Sequence, residues 1–124
     1  MIAHTSVGVQ EYQKSKEFYQ KALAPLGYTI GMDLPEHSAC GYKDAQGTQD
    51  FWIGVDQNAS CTHVAFLAET KEQVDAFYVA ALAVGGIDNG KPGYRPHYSA
   101  GYYAAFVYDL DGSNIEAVWF DPDK

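Results

Sequence analysis

Hydrophobic positions along this chain follow two spacings, which alternate in the same order twice. Residues 2–9 and 62–67 are rich in β-forming side chains, which favours strands. Each stretch is followed by apolar residues at three- and four-residue steps, the spacing of one face of a helix. The first helical series is Tyr12, Ser15, Phe18, Tyr19, Ala22 and Leu23, and the second is Val74, Phe77, Tyr78, Ala81 and Leu82. The pattern therefore predicts a strand followed by a helix, twice.

The ends of the two predicted helices carry recognisable signals. Thr70, followed three residues later by Gln73, fits a capping box at the start of the second helix. Gly27 and the pair Gly85-Gly86 are typical of helix ends, because glycine accepts a left-handed conformation. Short strand candidates lie after the helices, separated by glycine and proline: residues 28–33, 37–43, 50–56, 102–108 and 113–120.

Two further segments are predicted to connect strands. Residues 87–101 are rich in glycine and proline and are interpreted mostly as a loop, with room for one short strand. The sequence Asp109-Leu110-Asp111-Gly112 is typical of a tight hairpin turn. Its aspartates resemble the start of a calcium loop, but the later ligand positions are missing, which favours the turn.

The chain also contains an internal repeat. A shift of 59 residues, which carries His4 onto His63, brings further identical residues together in one register. The matches are Phe18 with Phe77, Tyr19 with Tyr78, Ala22 with Ala81, Leu23 with Leu82, Ala24 with Ala83, and Gly27 with Gly86. Agreement across a strand, a helix and the following turn indicates duplication. We therefore predict one domain, residues 1–124, made of two modules at about 1–58 and about 60–124.

Composition and charge exclude several classes of partner. The chain has 124 residues with a hydrophobic fraction of 47%, which suits one globular domain. Its formal net charge of −8 argues against binding to nucleic acid or to an anionic membrane surface. No apolar run is long enough to span a bilayer, and the first residues lack the pattern of a secretory signal. Two cysteines, Cys40 and Cys61, do not require a disulfide, so a cytoplasmic location is expected.

Strand alternation places four chemically distinctive side chains on the less apolar strand faces. They are His4, Trp52, His63 and Glu116. If the two sheets curve together, these residues converge on one concave surface. Imidazole and carboxylate ligands suit Zn, Ni, Fe or Mn, and three of them leave positions open for substrate and water. The sequence therefore predicts a divalent metal site at His4, His63 and Glu116.

A simpler interpretation of the histidines stands beside this one. A single histidine on a strand is more often a half-buried structural residue than a ligand. The metal interpretation is favoured because His4 and His63 occupy repeat-related positions and Glu116 lies on the last strand.

Polar and aromatic residues late in the chain are further candidates. Arg95 suits a carboxylate or a phosphate, and His97 suits a general acid or base. We predict Glu116 and His97 as catalytic residues and Trp52, Arg95, Tyr102 and Tyr103 as substrate-binding residues. In the alternative, Arg95 pairs with a surface acid and the tyrosines pack at a dimer contact. The 10 tyrosines indicate that some of these rings line a pocket, since buried phenols need partners.

Three segments resemble the vicinal-oxygen-chelate superfamily. They are residues 2–9 with Ser15 and Phe18-Tyr19, residues 62–66, and residues 109–116. The resemblance covers nearly the whole chain. It implies an α+β fold in which two βαβββ modules form a curved mixed sheet around a cleft. It also implies a homodimer.

The superfamily includes glyoxalase I, extradiol dioxygenases, fosfomycin-resistance enzymes, methylmalonyl-CoA epimerase and bleomycin-binding proteins. Its metal-containing members place ligands at positions that match His4, His63 and Glu116. Glyoxalase I adds a carboxylate or amide ligand where this chain has Trp52, which cannot bind metal. This departure counts against glyoxalase I activity.

The resemblance leaves three functions open. The first is a divalent-metal-dependent lyase, isomerase or dioxygenase that acts on a small oxygenated substrate. The second is a metal-free small-molecule-binding protein of the bleomycin-resistance type, for which the acidic net charge suits a cationic ligand. The third is a small dimer with a vestigial site.

Overall fold

Eight strands and two α-helices are arranged as two successive βαβββ modules, as the repeat predicts. The structure is a computed structural model, and it describes all 124 residues. The first module contains β1 (Thr5–Val9), α1 (Tyr12–Leu23), β2 (Thr29–Leu34), β3 (Ala39–Lys43) and β4 (Phe51–Val55). The second contains β5 (His63–Leu67), α2 (Lys71–Ala83), β6 (Ile87–Tyr94), β7 (Tyr102–Tyr108) and β8 (Asn114–Phe120). Short 3-10 helices at Ala24–Leu26 and Pro35–His37 complete the first module.

Each module forms its own four-stranded mixed sheet with the same topology. The strand orders are β1-β4-β3-β2 and β5-β8-β7-β6. In each sheet the first strand pairs in parallel with the last, and the other pairs are antiparallel. The first strand of each module therefore lies at an edge of its sheet. The two sheets do not join into one eight-stranded sheet within a chain.

One hydrophobic core joins the helix-covered faces of the two sheets. Phe51 on β4 and Phe66 on β5 pack edge to face, with ring centroids 5.0 Å apart. Both rings belong to a cluster of 21 buried residues drawn from both modules. Because the helix-covered faces share this core, each sheet leaves its opposite face uncovered by its own helix. We call these the open faces of the first and second sheets.

The predicted helix boundaries and the predicted turn are confirmed. The Thr70 hydroxyl accepts from the amide of Gln73 at 3.2 Å, which caps α2. Gly85 has φ +102° just after that helix, a value that suits glycine. In the turn before β8, the Asp109 carboxylate accepts from the amides of Asp111 and Ser113.

The loop predicted for residues 87–101 is wrong over its first half. Residues Ile87–Tyr94 form the eight-residue edge strand β6, which pairs with β7. The pairing shifts register between Asp88 and Gly90 and again between Gly90 and Gly93. These irregularities accommodate Pro92, which has no amide hydrogen for the ladder. The glycines and Pro92 made this segment look like a loop in the sequence. It forms a strand because β7, a distant segment, supplies its hydrogen-bond partners.

Two smaller points concern His37 and the cysteines. His37 closes the 3-10 helix Pro35–His37 and does not begin the next strand. Cys40 is buried and Cys61 is exposed, and both thiols are free. No helix of the structure has the length and apolar character that a membrane crossing requires.

Candidate functional site

His63 and Glu116 lie side by side on the open face of the second sheet. They stand on β5 and β8, which pair in parallel. The Nε2 atom of His63 lies 3.1 Å from Oε1 of Glu116. The glutamate side chain is 3% exposed, whereas the imidazole is 49% exposed. A buried carboxylate is thus presented beside an accessible ring.

A main-chain carbonyl orients the imidazole. The Nδ1 atom of His63 lies 3.0 Å from the carbonyl oxygen of Asn114. Because a carbonyl oxygen can only accept, Nδ1 carries the hydrogen, and Nε2 of a neutral ring presents its lone pair. Ligating histidines in proteins are commonly held by this kind of contact.

Tyr102 holds the other oxygen of the glutamate. Its hydroxyl donates a hydrogen bond to Oε2 of Glu116. Burial raises the pKa of Tyr102 to about 12, and the hydrogen bond and charge of Glu116 add to this effect. The phenol therefore stays protonated near neutral pH and remains a donor, which leaves Oε1 directed at His63.

The contact between His63 and Glu116 requires a cation. A neutral Nε2 and an ionised Oε1 are both acceptors, so a proton or a metal ion has to lie between them. Two ligand atoms held at ~2.1 Å from one metal ion are roughly 3.0–3.4 Å apart for octahedral to tetrahedral angles, so the observed separation suits an ion as well as a proton. The side-chain oxygen of Asn114, a residue on the same face, is buried without a hydrogen-bond donor. The donor set present therefore fits a divalent ion.

Arg95 lies on the same face. Its amide donates to the carbonyl of Tyr102 at 2.7 Å, so the two residues are cross-strand partners and their side chains share a face. Its guanidinium lies over the ring of Phe106, 5.4 Å from the centroid. It donates to the carbonyls of Gly93 at 2.7 Å and Lys91 at 2.8 Å. No acid lies within ion-pair distance of Arg95, so the predicted alternative of a surface ion pair is wrong.

Aromatic rings extend from this group to the edge of the sheet. The ring of Tyr98 packs edge to face on Tyr102 at 5.1 Å, and His97 packs on Tyr98 at 4.3 Å. Phe120 packs on the other side of Tyr102 at 5.3 Å. His97 is thus exposed and separated from Glu116 by two rings, so it does not contact the His63–Glu116 pair.

Sequence reasoning missed Phe106 and Asn114. Phe106 is the cross-strand partner of Glu116, and its ring stacks near that of His63 at 6.4 Å. Phe106 lies four positions after Tyr102 in β7, so alternation along this strand would have placed the two rings on one face. No sequence signal points to the carbonyl of Asn114, because any residue supplies a carbonyl.

The structure does not bring His4 to the other two predicted ligands. His4 is exposed just before β1, and no set of three potential metal ligands is assembled within one chain. Trp52 lies on the open face of the first sheet, where its indole covers Gly41. The expected convergence of all four residues within one chain is therefore wrong. The two open faces belong to separate sheets whose opposite sides share the core.

Tyr103 also lies away from this group. It is 6% exposed and its hydroxyl donates to Asp75 of α2 at 2.6 Å. Neighbouring residues of a strand point to opposite faces, so Tyr103 packs under the helix while Tyr102 reaches Glu116. Its predicted role in substrate binding is not supported.

A large groove of the chain lies elsewhere. It has a volume of about 470 Å³ and lies between the starts of β1 and β5, with Ile2, Tyr28, Phe51 and Leu67 among its lining residues. His63, Glu116 and Arg95 do not line it. The polar lining of this groove includes Asp44, Asp50 and Glu69 but no histidine or arginine, so the His63–Glu116 pair is the better candidate site.

Comparisons with known proteins agree with this architecture. A glyoxalase/bleomycin resistance protein from Albidiferax ferrireducens is 33% identical, with 94% of this chain and 97% of that chain covered and a TM-score of 0.82. A glyoxalase-related enzyme from Fulvimarina pelagi is 19% identical, covering 96% and 87% of the two chains, with a TM-score of 0.74. A lactoylglutathione lyase from Agrobacterium tumefaciens is 19% identical, covering 96% and 92%, with a TM-score of 0.70.

The last two similarities concern the fold alone. No family model matches the sequence, and no curated protein matches it either. The duplicated βαβββ topology and the 33% identity over nearly the whole length nevertheless identify the family. The chain belongs to the glyoxalase/bleomycin resistance protein family of the vicinal-oxygen-chelate superfamily.

Proposed function

We propose that this chain is a divalent-metal-dependent lyase, isomerase or dioxygenase that acts on a small oxygenated substrate. The observation that carries the proposal is the contact of His63 Nε2 with Glu116 Oε1 at 3.1 Å, which holds an imidazole nitrogen and a carboxylate oxygen close enough to bind one ion. His63 and Glu116 would hold the ion. When bound, the ion would stabilise negative charge that develops on the substrate oxygens.

The protein's own residues prepare this position. The Asn114 carbonyl fixes the ring of His63, and the Tyr102 hydroxyl holds one oxygen of Glu116. Glu116 is buried, so its orientation is maintained by packing as well as by hydrogen bonds. Glu116 is also the proposed proton acceptor during reaction. His97 is left out of this role, because two rings separate it from the pair.

A homodimer would complete the site. Within one chain the proposed metal position has only two side-chain ligands, His63 and Glu116. His4 lies just before β1, in the other module. We propose that the open face of the first sheet from a second copy covers the open face of the second sheet, so that its His4 becomes the third ligand. Gly54 on the first open face leaves room for a partner, because a Cβ there would meet nothing within 4 Å. Trp52 on the same face offers an apolar contact surface. The proposed location is the cytoplasm, where both thiols remain reduced.

Metal binding tests this proposal directly. Protein purified without added metal is stripped with a chelator, and Zn, Ni, Fe and Mn are titrated into it by calorimetry. We expect one ion per chain, with loss of binding in His63→Ala and Glu116→Gln and weaker binding in His4→Ala. His37→Ala is a matched control outside the site. Unchanged affinity in His63→Ala would refute the proposed ligand set.

A metal-free binding protein is the second candidate. It is favoured by the aromatic rings that line the open face beside Arg95, and by the bleomycin-resistance name of the 33% identical relative. Small-molecule binding that persists in excess chelator, in a protein that binds none of the four metals, would select this function.

A further inference from the structure

Arg95 is the sole arginine of an acidic chain, and it is held in place without a charged partner. The chain has 8 basic and 16 acidic residues, yet no carboxylate contacts this guanidinium. An isolated cation among so many acids would ordinarily find one. Its fixed position on the open face therefore calls for an explanation beyond surface solvation.

The backbone of β6 is shaped around the guanidinium. A Cβ at Gly90 would lie 3.1 Å from Nη2, and a Cβ at Gly93 would lie 3.2 Å from Nη1. Glycine at these two positions lets the side chain lie flat across the irregular edge strand. Two main-chain carbonyls then accept from Nη1 and Nη2, and the ring of Phe106 supports the group from below.

Donors of this guanidinium remain available. A guanidinium has five N–H groups, and the carbonyls of Lys91 and Gly93 use two of them. Neutral carbonyls leave its positive charge uncompensated. A rigid, partly buried cation with free donors is suited to recognise an oxyanion through charge-assisted hydrogen bonds.

The position of Arg95 relative to His63 and Glu116 decides what kind of oxyanion fits. Phe106, which lies under the guanidinium, is the cross-strand partner of Glu116 and stacks near His63. One small molecule can therefore contact Arg95 and the pair together. A single arginine beside the buried Glu116, in a chain of net charge −8, favours a singly charged carboxylate over a doubly charged phosphate.

We propose that the substrate is a small organic acid whose carboxylate binds Arg95 while its other oxygens face His63 and Glu116. This inference rests on the proposed function for the orientation of the substrate, but the carboxylate contact itself needs no metal. The ring of Tyr102, whose backbone pairs with Arg95, and the rings of Tyr98 and Phe120 that pack on it offer apolar contact to the body of the acid.

Calorimetric titration with paired acids and amides tests the proposal. Benzoate and mandelate are compared with benzamide and mandelamide, which differ in charge but hardly in shape, and with inorganic phosphate. We expect both acids to bind at least about tenfold more tightly than their amides, as a charge-assisted hydrogen bond implies. Equal affinity for acid and amide, tighter binding of phosphate, or no binding of either acid would overturn the proposal.

Variants of Arg95 test whether its planar guanidinium causes the preference for acids over amides. Arg95→Met should lose the preference for acids, and Arg95→Lys should recover only part of it, because an ammonium lacks the planar fork. Lys91→Met removes one nearby charge from an exposed side chain and should keep the preference. If Lys91→Met loses as much as Arg95→Met, general charge rather than Arg95 carries the effect, and the proposal fails.

Failure of this inference is distinguishable from failure of the proposed function. The titrations are repeated on chelator-treated protein and on Glu116→Gln. Metal binding without acid selectivity would refute only the carboxylate contact. Acid selectivity in an unmodified protein that binds none of the four metals would refute the metal-dependent function and leave Arg95 as the anion site.

Discussion

Tyr19 of α1 donates a hydrogen bond to Asp109, a residue 90 positions later in the turn before β8. The Tyr19 side chain is 0% exposed and Asp109 is 3% exposed. The other oxygen of the same carboxylate accepts from two amides of its own turn. One buried aspartate thus joins the helix of the first module to the closing hairpin of the second.

Replacing Tyr19 should therefore destabilise the whole domain. Tyr19→Phe leaves a buried carboxylate oxygen without its donor, which costs about 1–3 kcal/mol. Urea denaturation should show a lower free energy of unfolding with an unchanged slope. Tyr108→Phe, at an exposed phenol, is the matched control and should unfold like the unmodified protein. Equal stability of the two variants would contradict the importance of this link.

Alkaline pH should unfold the protein in one step. Burial, with hydrogen bonds to carboxylates, raises the pKa of Tyr12, Tyr19 and Tyr28 above the ordinary value of 10.0. Unfolded phenols ionise near pH 10 while the folded ones stay protonated. The stabilisation is therefore complete below pH 10 and is lost as pH rises toward the folded values.

A pH titration that follows phenolate absorbance and circular dichroism together checks this expectation. It starts at about pH 8, roughly two units below the ordinary tyrosine pKa. The signal of the buried phenols should appear with the loss of native dichroism, and Tyr28→Phe should diminish it. Ionisation of all phenols near pH 10 with native dichroism retained would disprove the expectation.

Tyr102 should tune metal binding without being a ligand. Tyr102→Phe releases Oε2 of Glu116, so the carboxylate is no longer held with Oε1 toward His63. Loss of such a supporting hydrogen bond typically weakens metal affinity roughly 10–100-fold. Calorimetry with the same metals measures the change. Tyr98→Phe keeps the Glu116 contact and serves as the control; identical affinities in both variants would exclude the supporting role.

The cap of α2 offers a local test of the fold. Thr70→Ala removes the hydroxyl that accepts from the Gln73 amide and should cost about 1 kcal/mol. Thr70→Ser retains the hydroxyl and should retain the stability. Thermal and urea unfolding of the three proteins give the comparison, and an alanine variant as stable as the serine variant would rule out a contribution from the cap.

The tyrosines illustrate a limit of sequence reasoning. Their number suggested rings lining a pocket, because buried phenols need partners. In the structure, many phenols find carboxylates instead: Tyr12 with Asp33, Tyr28 with Asp50, Tyr94 with Asp121 and Tyr103 with Asp75. These partners lie 21 to 28 positions away along the chain. Only the folded chain brings them together.

Local spacing determined the modules, the helices and the faces of the strands. The shift of His4 onto His63 predicted the duplication, and alternation placed His63 and Glu116 on the less apolar faces of their strands, because both depend on neighbouring residues along the chain. The same alternation predicted a metal site at His4, His63 and Glu116, and the resemblance to a known superfamily agreed with it. In the structure, His63 and Glu116 are in contact.

Tertiary structure alone decided which faces meet. Alternation states that His4 and His63 both lie opposite the helices, but it does not state how two sheets are oriented. The shared core of Phe51 and Phe66 turns the helix-covered sides toward each other, so the open faces stay separate. The same holds for β6 and for the Asn114 carbonyl beside His63. Their hydrogen bonds join distant segments, and no local pattern encodes such partners.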